Sequence, residues 1–293
     1  MFNKLCVIGV GLIGGSLARA ARRQFPAMQI SALGREQDLQ NLELALSLGV
    51  IDSFSLNVAE ALDGADCVVL ATPVGAYSAV LQSLQPHWLS NVIYTDVGST
   101  KANVLAACHE IFGHVPDNFV PGHPIAGAEQ SGVAAALADL FYQKRIILTP
   151  LASTQAAAVS KLQAFWESFG AKVALMSVEQ HDAILAATSH LPHILAFALV
   201  DMLGHKDEQS EIFKYAAGGF RDFSRIASSD PTMWLDICVA NKQPISALLQ
   251  ELQLELDKIR QAIESDDKQA LFDTFTYAKS ARQRFLEQFN AGQ

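Results

Sequence analysis

Residues 6–16 read C-V-I-G-V-G-L-I-G-G-S, an apolar run broken by Gly9, Gly11 and Gly14 at the G-x-G-x-x-G spacing. The pattern predicts a strand, a tight turn and the start of a helix. Gly9 permits the turn, Gly11 lets backbone approach a pyrophosphate, and Gly14 lets helix pack close to strand. Leu12 and Ile13, the residues between, are the other candidate cofactor-binding positions of this turn. The unpaired N–H groups and positive dipole end of the helix then face an anion. Spacing alone is a weak signal, because glycine-rich turns are common. Here a hydrophobic strand precedes it and an Ala/Leu-rich stretch, Ser16 to Arg23, follows. The reading is therefore a dinucleotide-binding turn, against the bland alternative of a plain strand-to-helix turn.

Working outward, short β-type runs at Leu5–Ile8, Gln29–Leu33, Cys67–Ala71, Val92–Asp96, Arg145–Thr149 and Lys172–Met176 alternate with helical patterns at Leu39–Leu48, Tyr77–Leu84 and Ala156–Phe169. Such alternation predicts an α/β Rossmann-type, doubly wound parallel sheet, with ligands bound beyond the carboxyl ends of its strands. After Met176 the strand signals stop. Ser177 followed by Gln180 resembles a capping box opening a long helix toward Leu203, interrupted by Pro192. Asp230 and Pro231 form an N-cap and first-turn pair, and Ile245–Ile263 and Ala270–Phe289 are periodic, with Ser265 as a cap between them. The expected division is a nucleotide-binding domain over residues 1–176 and an all-α domain over residues 177–293.

Length, at 293 residues, allows two domains, and a hydrophobic fraction of 50 % marks a globular chain. The net charge of −9 argues against nucleic acid or an anionic membrane as the main partner. A small anionic substrate remains compatible, since a few local cations override a diffuse charge. Cys6, Cys67, Cys108 and Cys238 have no CxxC or zinc spacing, which points to free thiols and a cytoplasmic location. No secretory signal and no membrane span is expected; the longest apolar candidate, Leu191 to Leu203, contains His193 and Asp201 and reads as a buried helix.

The strand Gln29–Leu33 is followed by Gly34-Arg35, where an NAD site usually carries a carboxylate. Arg35 is placed to meet a 2′-phosphate or to stack on adenine, so the cofactor is read as NADP or NAD, with NADP slightly favoured. Val92–Asp96 ends in D-V-G-S-T-K, putting Ser99 on a turn at the ligand edge, and P-G-H-P-I-A-G-A-E, residues 121–129, places His123 on a constrained loop rather than a packed face. A serine hydroxyl can orient an imidazole, and an imidazole can accept an alcohol proton as hydride leaves the same carbon. His190 and His193 share a helix face, yet no carboxylate or cysteine completes a metal site, so none is expected. Arg221 and Arg225, four apart beside Asp222, can hold a carboxylate in bidentate fashion, with ordinary surface charge as the alternative.

In this order, G-L-I-G-G-S, A-T-P-V, D-V-G-S-T-K, G-H-P-I-A-G-A-E, S-H-L-P-H and G-G-F-R-D-F-S-R-I-A resemble the prephenate dehydrogenase family, which includes arogenate and cyclohexadienyl dehydrogenases. The resemblance runs from Met1 to about Phe289 and implies oxidative decarboxylation of prephenate or arogenate with NAD(P)+ as hydride acceptor, in tyrosine biosynthesis. It makes His123 the catalytic base and Ser99 its hydroxyl partner. It makes Arg225 the substrate-carboxylate ligand with Asp222 as neighbour, His193 a pocket histidine partnered by Glu129, and Trp234 a pocket aromatic, supplied in some arrangements across a dimer. Thr72 and Pro73 become a strand-end pair beside the cofactor. A homodimer through the helical domain is expected, because Leu191, Ile194, Leu195, Phe197 and Leu199 are too many apolar residues for one small helical cap to bury. The rival readings are a β-hydroxyacid or pyrroline-carboxylate type of reductase, which usually places its base on the helical domain, and a non-enzymatic NADP-binding protein.

Overall fold

The computed structural model describes residues 1–128 and 130–291, with backbone only at 208–210 and 290–291. The glycine turn begins the architecture. β1 (Lys4–Ile8) feeds α1 (Leu12–Gln24), and the chain then alternates β2 (Gln29–Leu33), α2 (Leu39–Ser47), β3 (Ser53–Ser55), α3 (Val58–Leu62), β4 (Cys67–Leu70), α4 (Tyr77–Leu84), β5 (Ile93–Asp96), α5 (Ala102–Phe112) and β6 (Phe119–Val120). These strands form one six-stranded parallel sheet in the order β3-β2-β1-β4-β5-β6. β1 and β4 are buried over almost their whole length, which is why they read as unbroken apolar runs. Apolar cores line both faces, one containing Leu5, Val7, Leu17 and Phe165, the other Cys6, Val68, Tyr77 and Tyr94.

One expectation is corrected here. The strands β8 (Arg145–Leu148) and β9 (Lys172–Leu175) do not extend the parallel sheet. They form a separate three-stranded sheet with β7 (Gly122–Pro124), in which β7 pairs antiparallel to β8 and β8 parallel to β9. Between β8 and β9 lies α6 (Ala156–Glu167), whose Leu162, Phe165 and Trp166 are buried.

Beyond β9 the chain is helical: α7 (Val178–Leu185), a π-turn over Ala186–His190, α8 (Leu191–Ser210), α9 (Gly218–Ser224) and α10 (Pro231–Ala240). Ser177 Oγ accepts from Gln180 N–H and caps α7, while Asp230 accepts from the N–H groups of Thr232 and Met233 ahead of Pro231. The expected interruption at Pro192 becomes a π-turn rather than a break: the helix runs on through Ala186–His190, and the wider turn ahead of Pro192 takes up the ring that a regular α-turn would crowd. The helical run Val178–Asp207 is long and apolar enough to cross a bilayer by length and composition, yet only 22 % of its most apolar 18-residue stretch is buried. The expected buried helix is thus half-open, with its apolar side chains in excess of what this chain covers.

The chain divides into a compact unit over Met1–Lys242 and a second over Gln243–Gln293. The second consists of α11 (Lys242–Glu264) and α12 (Lys268–Ala291), joined by a tight turn. Its cap is Asp267, which accepts from Ala270 N–H; Ser265, the expected cap, instead donates back to the Gln261 carbonyl. Leu254, Ile263, Phe272, Phe275 and Phe285 are all exposed on these helices.

Candidate active site

Strand register brings the chemistry to one edge. Ile8 of β1 lies opposite Leu70 of β4, and Leu70 lies opposite Asp96 of β5. The glycine turn after β1, Ala71-Thr72-Pro73 after β4 and Val97–Lys101 after β5 therefore emerge side by side. Gly9 takes φ +94°, and a Cβ there would stand 2.8 Å from the Ala71 carbonyl oxygen, so glycine is required by both backbone and neighbour. Gly11 caps α1 with no side-chain hydrogen bond, and a Cβ on it would meet no heavy atom within 4 Å. Thr72 Oγ1 is buried and unpartnered. An open helix N-terminus and an orphan hydroxyl beside it fit the pyrophosphate and nicotinamide end of a dinucleotide.

At the far end of that cleft, Arg35 is 65 % exposed and turned onto Asp38, with Nε and Nη2 donating to its carboxylate at 3.0 and 3.3 Å. The guanidinium expected to be available to a nucleotide is thus already shared with a carboxylate three residues on.

His123 lies on β7, opposite Ile147 of β8, and is 9 % exposed. This corrects the loop expectation: Pro121, Gly122 and Pro124 mark a short strand, and the imidazole is packed. A buried frame fixes it. Asp96 and Lys101, both fully buried, form an ion pair; Asp96 accepts from Gly122 N–H at 3.1 Å, and Lys101 Nζ donates to the Gly122 carbonyl at 2.6 Å. Tyr77 also donates to Asp96, at 2.9 Å. The residue before His123 is thereby clamped to the end of β5, from which half-buried Ser99 projects.

The partners of His123 come from two residues that sequence reasoning missed. His123 Nδ1 lies 2.9 Å from His181 Nε2, and His181 Nδ1 lies 2.7 Å from Asp182 Oδ1. Asp182 in turn accepts from the N–H groups of Lys101 and Ala102, at 2.9 and 2.8 Å, at the start of α5. A signal was present: Val178, His181, Asp182 and Leu185 are the buried face of α7, so two titratable residues occupy core positions of an amphipathic helix. Burial, followed by the charges of His181, Lys101 and His190, holds the His123 imidazole well below its usual range.

The other helical residues gather nearby. His193 stacks on Trp234 of the same chain at 4.0 Å, and its Nδ1 donates to the Ser189 carbonyl at 2.8 Å. Burial, the main cause, and the Arg225 cation both push the His193 imidazole down, which places Arg225 in its electrostatic reach. Asp222 accepts from Arg221 Nε at 3.3 Å on the surface. Glu129 lies outside the described residues. His190 is buried against the edge of Trp234. Asn241 Nδ2 donates to the Asp182 carbonyl and lies 3.1 Å from His190 Nδ1, so that ring carries its proton on Nε2. His190 Nε2 and Trp234 Nε1 are both buried without partners, two donors that suit an acceptor-rich ligand. No group of three or more metal-ligating side chains occurs among the described residues.

Burial pushes His190 down to about 4, with the His181 and His193 charges acting the same way against Asp182. For His123 and His190 the folded value lies below the unfolded one of about 6.5, so acid protonates the unfolded chain first. Stability is accordingly complete above about pH 6.5, and for His190 it drops by about 1.4 kcal/mol per pH unit down to about pH 4. Urea melts should show a midpoint that is level from pH 7.5 to about 6.5 and falls from there to pH 4.5; a midpoint level over the whole range would mean these rings are charged in the fold.

A parallel nucleotide sheet, an open glycine turn and a buried neutral histidine at the same edge define a dinucleotide-dependent oxidoreductase. Comparison with known proteins narrows this. The family model for the nucleotide-binding domain of prephenate dehydrogenase matches residues 17–175, and that for its dimerization domain matches residues 177–277. The chain belongs to the prephenate dehydrogenase family. It is 36 % identical to a cyclohexadienyl dehydrogenase of Zymomonas mobilis, over 96 % of each chain. It is 38 % identical to a prephenate dehydrogenase of Bacillus subtilis, over 96 % of this chain and 76 % of the relative. A crystal structure of the Aquifex aeolicus prephenate dehydrogenase, in complex with hydroxyphenyl propionate and NAD+, superposes with a TM-score of 0.90 at 34 % identity, covering 97 % of this chain and 99 % of that one. A Synechocystis arogenate dehydrogenase superposes at 0.80, with 27 % identity over 96 % and 99 % of the two chains.

Proposed function

We propose that this chain oxidatively decarboxylates prephenate to 4-hydroxyphenylpyruvate, or arogenate to tyrosine, using a nicotinamide dinucleotide in tyrosine biosynthesis. The observation that carries the reading is His123, a buried, neutral imidazole clamped to the same carboxyl edge of the sheet from which the glycine turn emerges. The cofactor, held by the α1 N-terminus, Thr72 and Pro73, supplies the hydride acceptor. His123 takes the proton of the ring hydroxyl as hydride leaves that carbon, and Ser99 orients the same oxygen. Loss of the ring carboxylate as carbon dioxide returns the bond electrons to the ring, and His123 gives the proton back to the phenolate oxygen. No net proton is consumed, and aromatisation drives the step. Arg225, His193 and Trp234 hold the carboxylate-bearing side chain, and the family resemblance adds Asp222 and Glu129 as substrate contacts. The functional division we adopt is residues 1–176 for nucleotide and 177–293 for substrate and dimer contacts. Support for the homodimer comes from the exposed apolar residues of α11 and α12 and from the half-open α8.

Mixing the protein with prephenate or arogenate and either nucleotide, and following absorbance of the reduced cofactor, tests the activity. Both nucleotides should be turned over: Arg35 favours the 2′-phosphate of NADP, and Asp38 restrains that preference by holding the guanidinium. Absence of turnover with all four combinations would end the reading. Arg225→Ala should raise KM for prephenate by roughly 10- to 100-fold, the worth of a charge-assisted bidentate pair, with kcat little changed. Unaltered KM would remove Arg225 from the substrate site.

A further inference from the structure

We propose that His181 and Asp182 are positioning residues that fix the tautomer of His123, leaving its Nε2 as the bare, proton-accepting nitrogen; this rests on His123 being the base. The argument starts at Asp182. Its carboxylate is buried, which alone would favour the neutral acid, but hydrogen bonds from His181 and from the N–H groups of Ala102 and Lys101 outweigh that and hold it ionised. An ionised carboxylate only accepts, so His181 Nδ1 must carry the hydrogen in the 2.7 Å contact. A neutral His181 then offers a lone pair at Nε2. Facing it at 2.9 Å is His123 Nδ1, which must donate. A neutral His123 has one ring proton, now committed to Nδ1, so Nε2 is bare.

The opposite polarity needs a charged His181 donating toward His123. That would put the proton of His123 on Nε2 and disable it as a base. The Asp182 carboxylate already accepts from the N–H groups of Lys101 and Ala102, and the Lys101 cation is paired with Asp96, so the charges around the pair are met without a second proton on His181. The same carboxylate also seats α5 and the Lys101 backbone, so one residue sets both the tautomer and the end of the Ser99 turn. His123, His181 and Asp182 thus form a single chain from the first turn of α5 to the reacting proton.

The test is the ring-nitrogen spectrum of full-length protein labelled with ¹⁵N-histidine, with His123 assigned by loss of its signals in His123→Asn. The expected result is a protonated Nδ1 and a bare Nε2 on His123 at neutral pH. In steady state, His181→Leu should lose about 10²-fold in kcat with KM nearly unchanged. His181→Gln should recover at least about tenfold of that loss, because its amide oxygen can accept from His123 Nδ1. Asp182→Asn places an amide nitrogen against either His181 Nδ1 or a backbone donor, and should move the proton of His123 or destabilise α5; if it does not fold, the wild-type spectrum and the His181 pair still decide. A protonated Nε2 in the wild type, or wild-type kcat in His181→Leu, would overturn the proposal. Near-normal kcat in His123→Asn would instead refute the base itself, leaving the spectrum unaffected.

Discussion

Replacing His123 by Asn is expected to lower kcat by about 10²–10⁴-fold, with KM for prephenate and nucleotide within a few-fold of wild type. The substitution is chosen for what it keeps. Asn Nδ2 falls near the position of His Nδ1, so it can still donate to His181 Nε2 across the 2.9 Å contact and preserve the packing of β7. What is lost is the far nitrogen, the one that receives the hydroxyl proton. The predicted factor corresponds to about 2.7–5.4 kcal/mol of transition-state stabilisation. Because burial, with the Lys101 cation nearby, already holds His123 neutral, the wild-type rate should stay flat as pH falls from 8 to about 6.5, an ordinary imidazole value. A rate that instead fell with a midpoint near that value would show that His123 titrates like an exposed histidine. Stopped-flow measurement of cofactor reduction separates this step from product release.

How much of this was legible beforehand depends on how each residue meets its neighbours. β1 and β4 were readable because strands covered on both faces are continuously apolar, while β2 and β5 carry buried Ser31, Thr95 and Asp96 and were readable from their alternation with helical patterns. β7 was not, since three residues flanked by prolines carry no period, and His123 consequently read as a loop residue. The separate sheet was hidden for a related reason: the apolar run of β8 specifies burial, but nothing in it says which edge it pairs with. His181 and Asp182 were invisible to a search for clustered polar residues, because their partners are 58 and 80–81 positions away. Their trace was a pair of titratable side chains on the buried face of α7. Gly34-Arg35 does follow β2, yet the ion pair of Arg35 with Asp38 depends on a short helical turn, and the pattern G-R-E-Q-D does not announce it.

The glycine turn offers a second large effect, and a way to separate two roles that the motif merges. Gly14→Ala should abolish measurable nucleotide binding and lower Tm. A Cβ at Gly14 would stand 2.2 Å from the Gly9 carbonyl oxygen and 3.0 Å from Val7 Cγ1 and Ala71 Cβ. The first of these is backbone and cannot swing away, so α1 must be pushed off the sheet, carrying its N–H groups with it. Overpacking of this kind costs about 1–3 kcal/mol, and each kcal/mol is worth about 2–4 °C in a domain of this size. Gly11→Ala should behave differently. Its Cβ meets nothing within 4 Å and its φ of −88° suits any residue, so the fold should keep its Tm. Yet that methyl would occupy the space through which a pyrophosphate approaches the helix N-terminus, and Kd for either nucleotide should weaken by at least about tenfold. Titration of cofactor fluorescence alongside thermal melts distinguishes the pair. If Gly11→Ala bound nucleotide as tightly as wild type, the open N-terminus of α1 would not be where the phosphates sit.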